Sequence, residues 1–242
     1  MSHHEEDEEY EIEPEHLEDI DHESLVLASD LLPDRLPIIP LRPRPAFPAI
    51  LIPLHIAGKD KVAIIRQVAD SSTKTLGLVL VENVDDKDEP RNLHSVGVAG
   101  KIVKVLNSEE ESIQVLVNCL ERFTIEGLHE TDHGLYASVA YQHEKPLSDH
   151  QELKAYSMAI ISTLKELVKI NPLYSEEIKM FLGRSSMDDP GRLADFAANL
   201  TSADGQELQE VLATFDVRQR IERVLVLLKK ELEVAEQNLQ AD

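Results

Sequence analysis

From Leu36 to about Tyr141 the apolar residues alternate with polar ones in short runs broken by turn residues; from about residue 147 they recur every three or four positions instead. The first pattern is that of half-buried strands, the second that of amphipathic helices. Strands are predicted at Leu36–Leu41, Ile50–His55, Thr75–Glu82, Arg122–Leu128 and Leu135–His143. Between the third and fourth of these, "SVGVAGKIVKVL" and the alternating Ile113, Val115, Val117 and Cys119 flank the polar "NSEEES", which predicts a hairpin. One helix interrupts the strands, because "KDKVAIIRQVAD" places Val62, Ile65 and Val68 on a single face. Several strands with one helix predict a small, partly closed barrel.

The second half reads as a bundle. Ser148 followed three residues later by Gln151 resembles a capping box, and Leu153, Tyr156, Ile160, Leu164 and Leu167 form a stripe that stops at Asn171-Pro172. A short helix is expected over Ser175–Gly183. Another begins at "MDDPGRLADFAANL", with Asp189 as N-cap, Pro190 at the first helical position and Leu193, Phe196 and Leu200 turned inward. "DGQELQEVLATF" supplies a fourth helix. In the last, "DVRQRIERVLVLLKKELEVAEQNLQ", one seam carries Val217, Ile221, Val224, Leu228, Leu232, Ala235 and Leu239. At about 1.5 Å per residue it reaches about 35 Å. The fold class is therefore α+β: a β-rich, partly closed barrel subdomain with one helix, then a helical bundle ending in a long helix. The expected boundaries are an acidic arm over 1–34, the strand subdomain over 35–146 and the bundle over 147–242.

"LPIIPLRPRPAFPAILIPL" holds six of the 12 prolines in 19 residues, yet the residues between them are too apolar for a solvated polyproline ligand. Pro37 and Pro40 flank an apolar first strand, which a sheet tolerates at its edge. Pro43, Pro45 and Pro48 then stiffen the crossing to the Ile50 strand. Two roles stay open for Phe47. It plugs the end of the barrel, or it joins Pro48, Ile50 and Leu51 in an exposed apolar patch that binds unfolded chains with little sequence preference.

Charge changes the picture at one end only. The formal charge is −22, but 14 of the 46 acidic residues and none of the 24 basic ones precede Arg35, so the remainder carries about −8. An acidic arm and a mildly acidic body exclude nucleic-acid backbone binding as a main role, since that requires a basic surface. Aromatic residues make up 4% and Trp is absent, so the core must be aliphatic. One cysteine rules out an internal disulfide framework and a Cys-rich zinc site, and no apolar run is long enough to span a membrane. A cytoplasmic protein is expected.

Candidate chemistry is sparse. The sequence has no GxxxxGK[ST] loop, GxGxxG, GxSxG, HExxH or CxxC. "VGVAGK" lacks a following helix and reads as a strand whose small residues allow close backbone approach. His3, His4, His16 and His22 sit among carboxylates without ligand spacing, and His94, His129, His133 and His143 fall on separate strands and loops. Cys119 lies on an apolar strand face, as a buried structural thiol does. In "LERF" the neighbouring Glu121 and Arg122 suggest an ion pair at a strand end; Arg192 and Asp195, one helical turn apart, either pair with each other or satisfy a neighbouring loop. No catalytic, cofactor or metal residues are assigned.

Taken in order, "LPIIPLRPRPAFPAILIPL", "LHSVGVAGKIVKVL", "IQVLVNCLERFTI", "DPGRLADFAANL" and "DVRQRIERVLVLLKKELEV" resemble the N-terminal domain of ATP-dependent Lon proteases. "DPGRLAD" ahead of "DVRQRIERVL" is the most specific part of the likeness, which covers about Leu36 to Glu236. The sequence departs from the family at Pro43-Arg44-Pro45-Ala46 and at His55, where Phe is usual. The resemblance implies a compact β-rich subdomain followed by a helical bundle whose last helix leads to an ATPase module. It also implies a role in holding unfolded or damaged polypeptides and in assembling a homo-hexamer. ATP, Mg²⁺ and the Ser–Lys peptidase chemistry would then belong to parts of the protein beyond Asp242. A stand-alone Lon-domain adaptor that joins other proteins is the alternative.

Overall fold

The computed structural model describes residues 32–82, 92–132, 134–142, 144, 149–184 and 189–241, with the side chains of residues 150, 153, 182, 184 and 239–241 left aside. Residues 1–31 of the acidic arm, His133, His143 and Ser148 lie outside the described residues, as do the side chains of Leu153 and Leu239. Pro33–Asp242 forms one compact unit.

Six strands build the first half: β1 (Arg35–Leu41), β2 (Leu51–Ala57), β3 (Thr75–Leu80), β4 (Val96–Ser108), β5 (Ser112–Thr131) and β6 (Gly134–Tyr141). Helix α1 (Lys59–Asp70) connects β2 to β3 and buries Val62, Ile65 and Val68, the face its spacing predicted. The strand order is β2-β5-β4-β3-β1-β6, and β6 also pairs with β5, so the sheet curls into a ring. That closure depends on the length of β5. The Ile113–Cys119 and Arg122–Leu128 strands expected separately are one continuous strand of 20 residues. Its first part pairs with β2, while Phe123–Thr131 pairs with β6, with a register shift inside that stretch at Ile125/Gly127. A bulge bends a strand and increases its twist, which allows one strand to serve two neighbours.

β1 is not the edge strand that its prolines suggested. It runs between β3 and β6, but Ile38–Leu41 pairs with β3 and Arg35–Pro37 with β6, so each stretch has a partner on one side only. Pro37 and Pro40 thus remove no donor that both neighbours need. The edge is β2, paired only to β5.

β3 is buried at all six positions, since its neighbours on both sides and the helical half enclose it. Gly97 lies where β4 passes close to Leu78 and Phe123. A methyl group there would stand 2.6 Å from the Leu78 carbonyl oxygen and 2.8 Å from Cζ of Phe123. The small residues of "VGVAGK" therefore make room for the fully buried Phe123 ring, and no phosphate loop is formed.

The helical half comprises α2 (His150–Ile170), α3 (Tyr174–Arg184), α4 (Pro190–Leu200), α5 (Gly205–Leu212) and α6 (Val217–Ala241). Asp149, rather than Ser148, caps α2, accepting from the backbone N–H groups of Gln151 and Glu152. Asp189 caps α4 with Pro190 in the first turn, as the sequence signalled. A reciprocal capping box forms at α5, between Asp204 and Glu207. On α6, Val217, Ile221, Val224 and Leu228 are buried, and Leu232 packs half-buried at the margin of the same core. α3 is joined to α4 by the stacked rings of Phe181 and Phe196, 3.9 Å between centroids and 7° apart.

Candidate functional site

Three of the sequence segments that carry the family likeness meet at the junction of the two halves. Arg122 of β5 donates two hydrogen bonds to Asp195 of α4, at 2.7 and 2.5 Å, and its Nε donates to the Leu212 carbonyl at 2.9 Å. Arg220 of α6, with no solvent exposure, lies 3.4 Å through Nε from Asp195 and donates through Nη2 to Glu144. Glu144 also accepts from Arg122 at 3.3 Å. Two guanidinium groups thus face two carboxylates, and only Glu144 reaches solvent, at one third exposure. Burial opposes the charge on Arg122, but the field and hydrogen bonds of Asp195, with help from Glu144, outweigh it and raise its pKa above the usual value.

Asp195, expected beside Arg192, is held by Arg122 instead. Arg122 pairs with Asp195 and Glu144, and Arg192 pairs with Asp189 at 3.2 Å. The cluster is enclosed and charge-balanced, which makes it a staple between sheet and bundle with no open position for a substrate.

The proline-rich crossing is a second staple. Nη2 of Arg44 donates to the carbonyls of Asn199 (3.1 Å) and Thr201 (2.9 Å) at the end of α4, where unpaired carbonyls and the helix dipole favour a cation. The Pro43 carbonyl oxygen lies 2.1 Å from the point a Cβ at Gly205 would occupy, so only glycine lets the strap lie against the start of α5. This resolves the role of Phe47. Its ring is 1% exposed and belongs to the core, and Pro48 is buried beside it. Ile50 and Leu51 are half-buried. The exposed patch that would have used Phe47 and Pro48 is therefore corrected: both are buried, and Phe47 is part of the core, beneath a strap held by Arg44.

Other candidates reduce to structure. Cys119 is buried, and desolvation pushes its thiol up to about 12, far from a reactive thiolate. Among the described residues no group of His, Cys, Asp and Glu could hold a metal ion. His94 is half-buried on a loop and His129 exposed on β5. No helix among the described residues is long and apolar enough to cross a membrane.

Among the described residues, two surfaces are candidates for holding another chain. One is the outer half of the β4–β5 hairpin, where Val103, Val105 and Leu106 are exposed. The other is a groove of about 350 Å³ between α2 and α3, floored by Ile161, Leu164, Val168 and Ile178. Met158 lies one turn before Ile161, and Leu173, 83% exposed, occupies the turn between the two helices. No sequence signal set Ile161 or Val168 apart, because both fall on the flank of a stripe whose centre is Ile160, Leu164 and Leu167.

The free edge of β2 is a poor site for strand addition. Gly58 N–H bonds the Glu111 carbonyl, so by alternation residues 52, 54 and 56 turn their backbone groups toward β5, and Pro53 faces the open side without a donor.

Comparison with known proteins agrees with this geometry. Residues 35–230 match the family model of the ATP-dependent protease La (LON) substrate-binding domain. The chain is 63% identical over 213 residues to Lon protease 1 of Syntrophotalea carbinolica, covering 88% of this chain and 26% of that protein. It is 44% identical over 207 residues to Lon protease of Chlamydia muridarum, covering 84% and 25%. The chain thus spans about a quarter of the length of these curated relatives. Among solved structures, the N-terminal domain of Mycobacterium avium complex Lon protease superposes with a TM-score of 0.60 at 20% identity, covering 81% of this chain and 98% of that one. The Lon N-terminal domain protein from Xanthomonas campestris gives 0.58 at 14% identity, covering 79% and 97%. Carried by a sheet, a bundle and the buried arginines that join them, the chain belongs to the family of Lon substrate-binding domains.

Proposed function

We propose that this domain holds unfolded or damaged polypeptides for an ATP-dependent Lon-type serine protease, and that the groove between α2 and α3 is the surface that does so. The carrying observation is an apolar floor left open to solvent between α2 and α3, with exposed Met158 and Leu173 on the same two-helix segment. Such a surface accepts varied apolar side chains because methionine and shallow aliphatic contacts adapt in shape. One groove of this size binds weakly, and several copies in a hexamer would raise retention through avidity. ATP hydrolysis with Mg²⁺ and peptide cleavage belong, in this reading, to the rest of a cytoplasmic protein.

The test is binding of a reduced and alkylated, permanently unfolded protein to the purified chain and to Ile161→Ser/Val168→Ser. Both positions are half-buried at the groove, so melting of the variant is measured alongside. The expected result is weaker capture, by about fivefold or more, at a melting temperature that still shows cooperative unfolding. Unchanged capture by the folded variant would remove the groove from this role.

A further inference from the structure

The groove has a charge pattern opposite to that of the molecule as a whole. The sequence holds 46 acidic and 24 basic residues, yet the groove wall carries Lys165 and Lys169 from α2 and Lys179 from α3. Lys165 and Lys169 are exposed, four residues apart on one helical face, and neither makes an ion pair with a described residue. Lys179 pairs with Glu176 at 3.2 Å, which leaves Lys165 and Lys169 as the cations that set the charge of the groove wall. The floor between these lysines is aliphatic. An apolar side chain seated there brings its flanking residues next to two ammonium groups that no described carboxylate pairs.

We propose that the groove selects, among unfolded segments, those in which large apolar side chains are flanked by carboxylates: an apolar-anchored acidic peptide. This rests on the polypeptide-holding reading above and adds to it a sign of charge. The aliphatic floor supplies affinity without sequence preference. The lysines supply discrimination, because a segment with Lys or Arg beside its anchor meets like charge there and an acidic one gains contact. Elsewhere the acidic surface repels the same acidic segment, which confines it to this groove. Two other open surfaces among the described residues differ: the β4–β5 hairpin exposes Val103, Val105 and Leu106, and Pro53 interrupts the β2 edge.

The experiment uses two fluorescein-labelled peptides of twelve residues with the same Leu-Phe-Leu centre, one flanked by Asp and Glu and one by Lys and Arg. Their binding is followed by fluorescence anisotropy against the chain and against Lys165→Glu/Lys169→Glu, whose substitutions lie on exposed positions. At low ionic strength the acidic peptide should lose about tenfold in affinity in the variant while the basic peptide gains. The difference should shrink at 0.5 M salt, where screening acts over only a few ångströms. Equal affinity of the acidic peptide for both proteins, or no binding of it at all, overturns the proposal. The holding reading survives that result if Ile161→Ser/Val168→Ser still weakens capture of the unfolded protein, and falls with it otherwise. Concentration-dependent dimerisation abolished by the charge reversals, with neither peptide affected, would assign the groove to a second copy and overturn the proposal as well.

Discussion

Arg122 and Asp195 stand 73 residues apart in the chain and share two hydrogen bonds of 2.7 and 2.5 Å in a site where both side chains are almost fully buried. A bidentate guanidinium–carboxylate pair fixes the orientation of its partners as well as their distance, so it sets how α4 sits on β5. The Leu212 carbonyl and Glu144 complete the satisfaction of Arg122, and Arg220 is the second cation of the same cluster.

Arg122→Met should destabilise the domain by about 3–5 kcal/mol, because it strips a buried carboxylate of its main partner and leaves a buried carbonyl unpaired. Arg122→Met/Asp195→Leu should cost less than the sum of the two single variants, since no lone charge then remains at that pair. Urea unfolding of the three variants measures this. A single-variant loss within 1 kcal/mol would show the cluster to be dispensable.

Phe47 is a core residue, and Phe47→Ala should lower stability by about 3–5 kcal/mol through lost burial and an unfilled cavity. Thermal melting decides the matter. A variant that melts like the parent while capturing less unfolded protein would return Phe47 to the surface role that its sequence context left open.

At the sheet edge, Pro53→Val restores a backbone donor on the open side of β2 and raises strand propensity there. The expected outcome is concentration-dependent association at unchanged or higher monomer stability. Light scattering of matched samples would show no difference if Pro53 does not blunt this edge.

Cys119 links stability to alkaline pH. Burial raises its folded-state pKa from 9.0 to about 12, so the native thiol keeps its proton while the unfolded one ionises. Stability from this group is complete below pH 9 and is lost progressively as pH rises toward 12, by about 1.4 kcal/mol between pH 8 and pH 10. Cys119→Ala removes this dependence at the expense of a small cavity. Denaturant midpoints at pH 8, 9 and 10 should fall in the parent and fall less steeply in the variant, and parallel slopes would exclude the thiol.

The local elements were legible in the sequence because their causes are local. Val62, Ile65 and Val68 fall on one face of any helix, Asp189-Pro190 starts one wherever it stands, and the alternation of Ile113, Val115, Val117 and Cys119 needs only a strand with one covered side. The family likeness was legible too, in the order of its motifs. Tertiary structure alone decided what those motifs do. Asp195 is taken by Arg122 across 73 residues, where burial strengthens a well-formed bidentate pair, and Arg192 is left to its local, half-exposed pair with Asp189. The prolines of β1 did not mark the edge, since pairing is divided between β3 and β6 along its length, and strand composition carries no information about which neighbour lies alongside. Phe47 was ambiguous for the same reason: a proline-flanked aromatic ring points inward or outward according to where its loop is anchored, and those anchors, the Asn199 and Thr201 carbonyls, come from a helix end about 150 residues further along the chain.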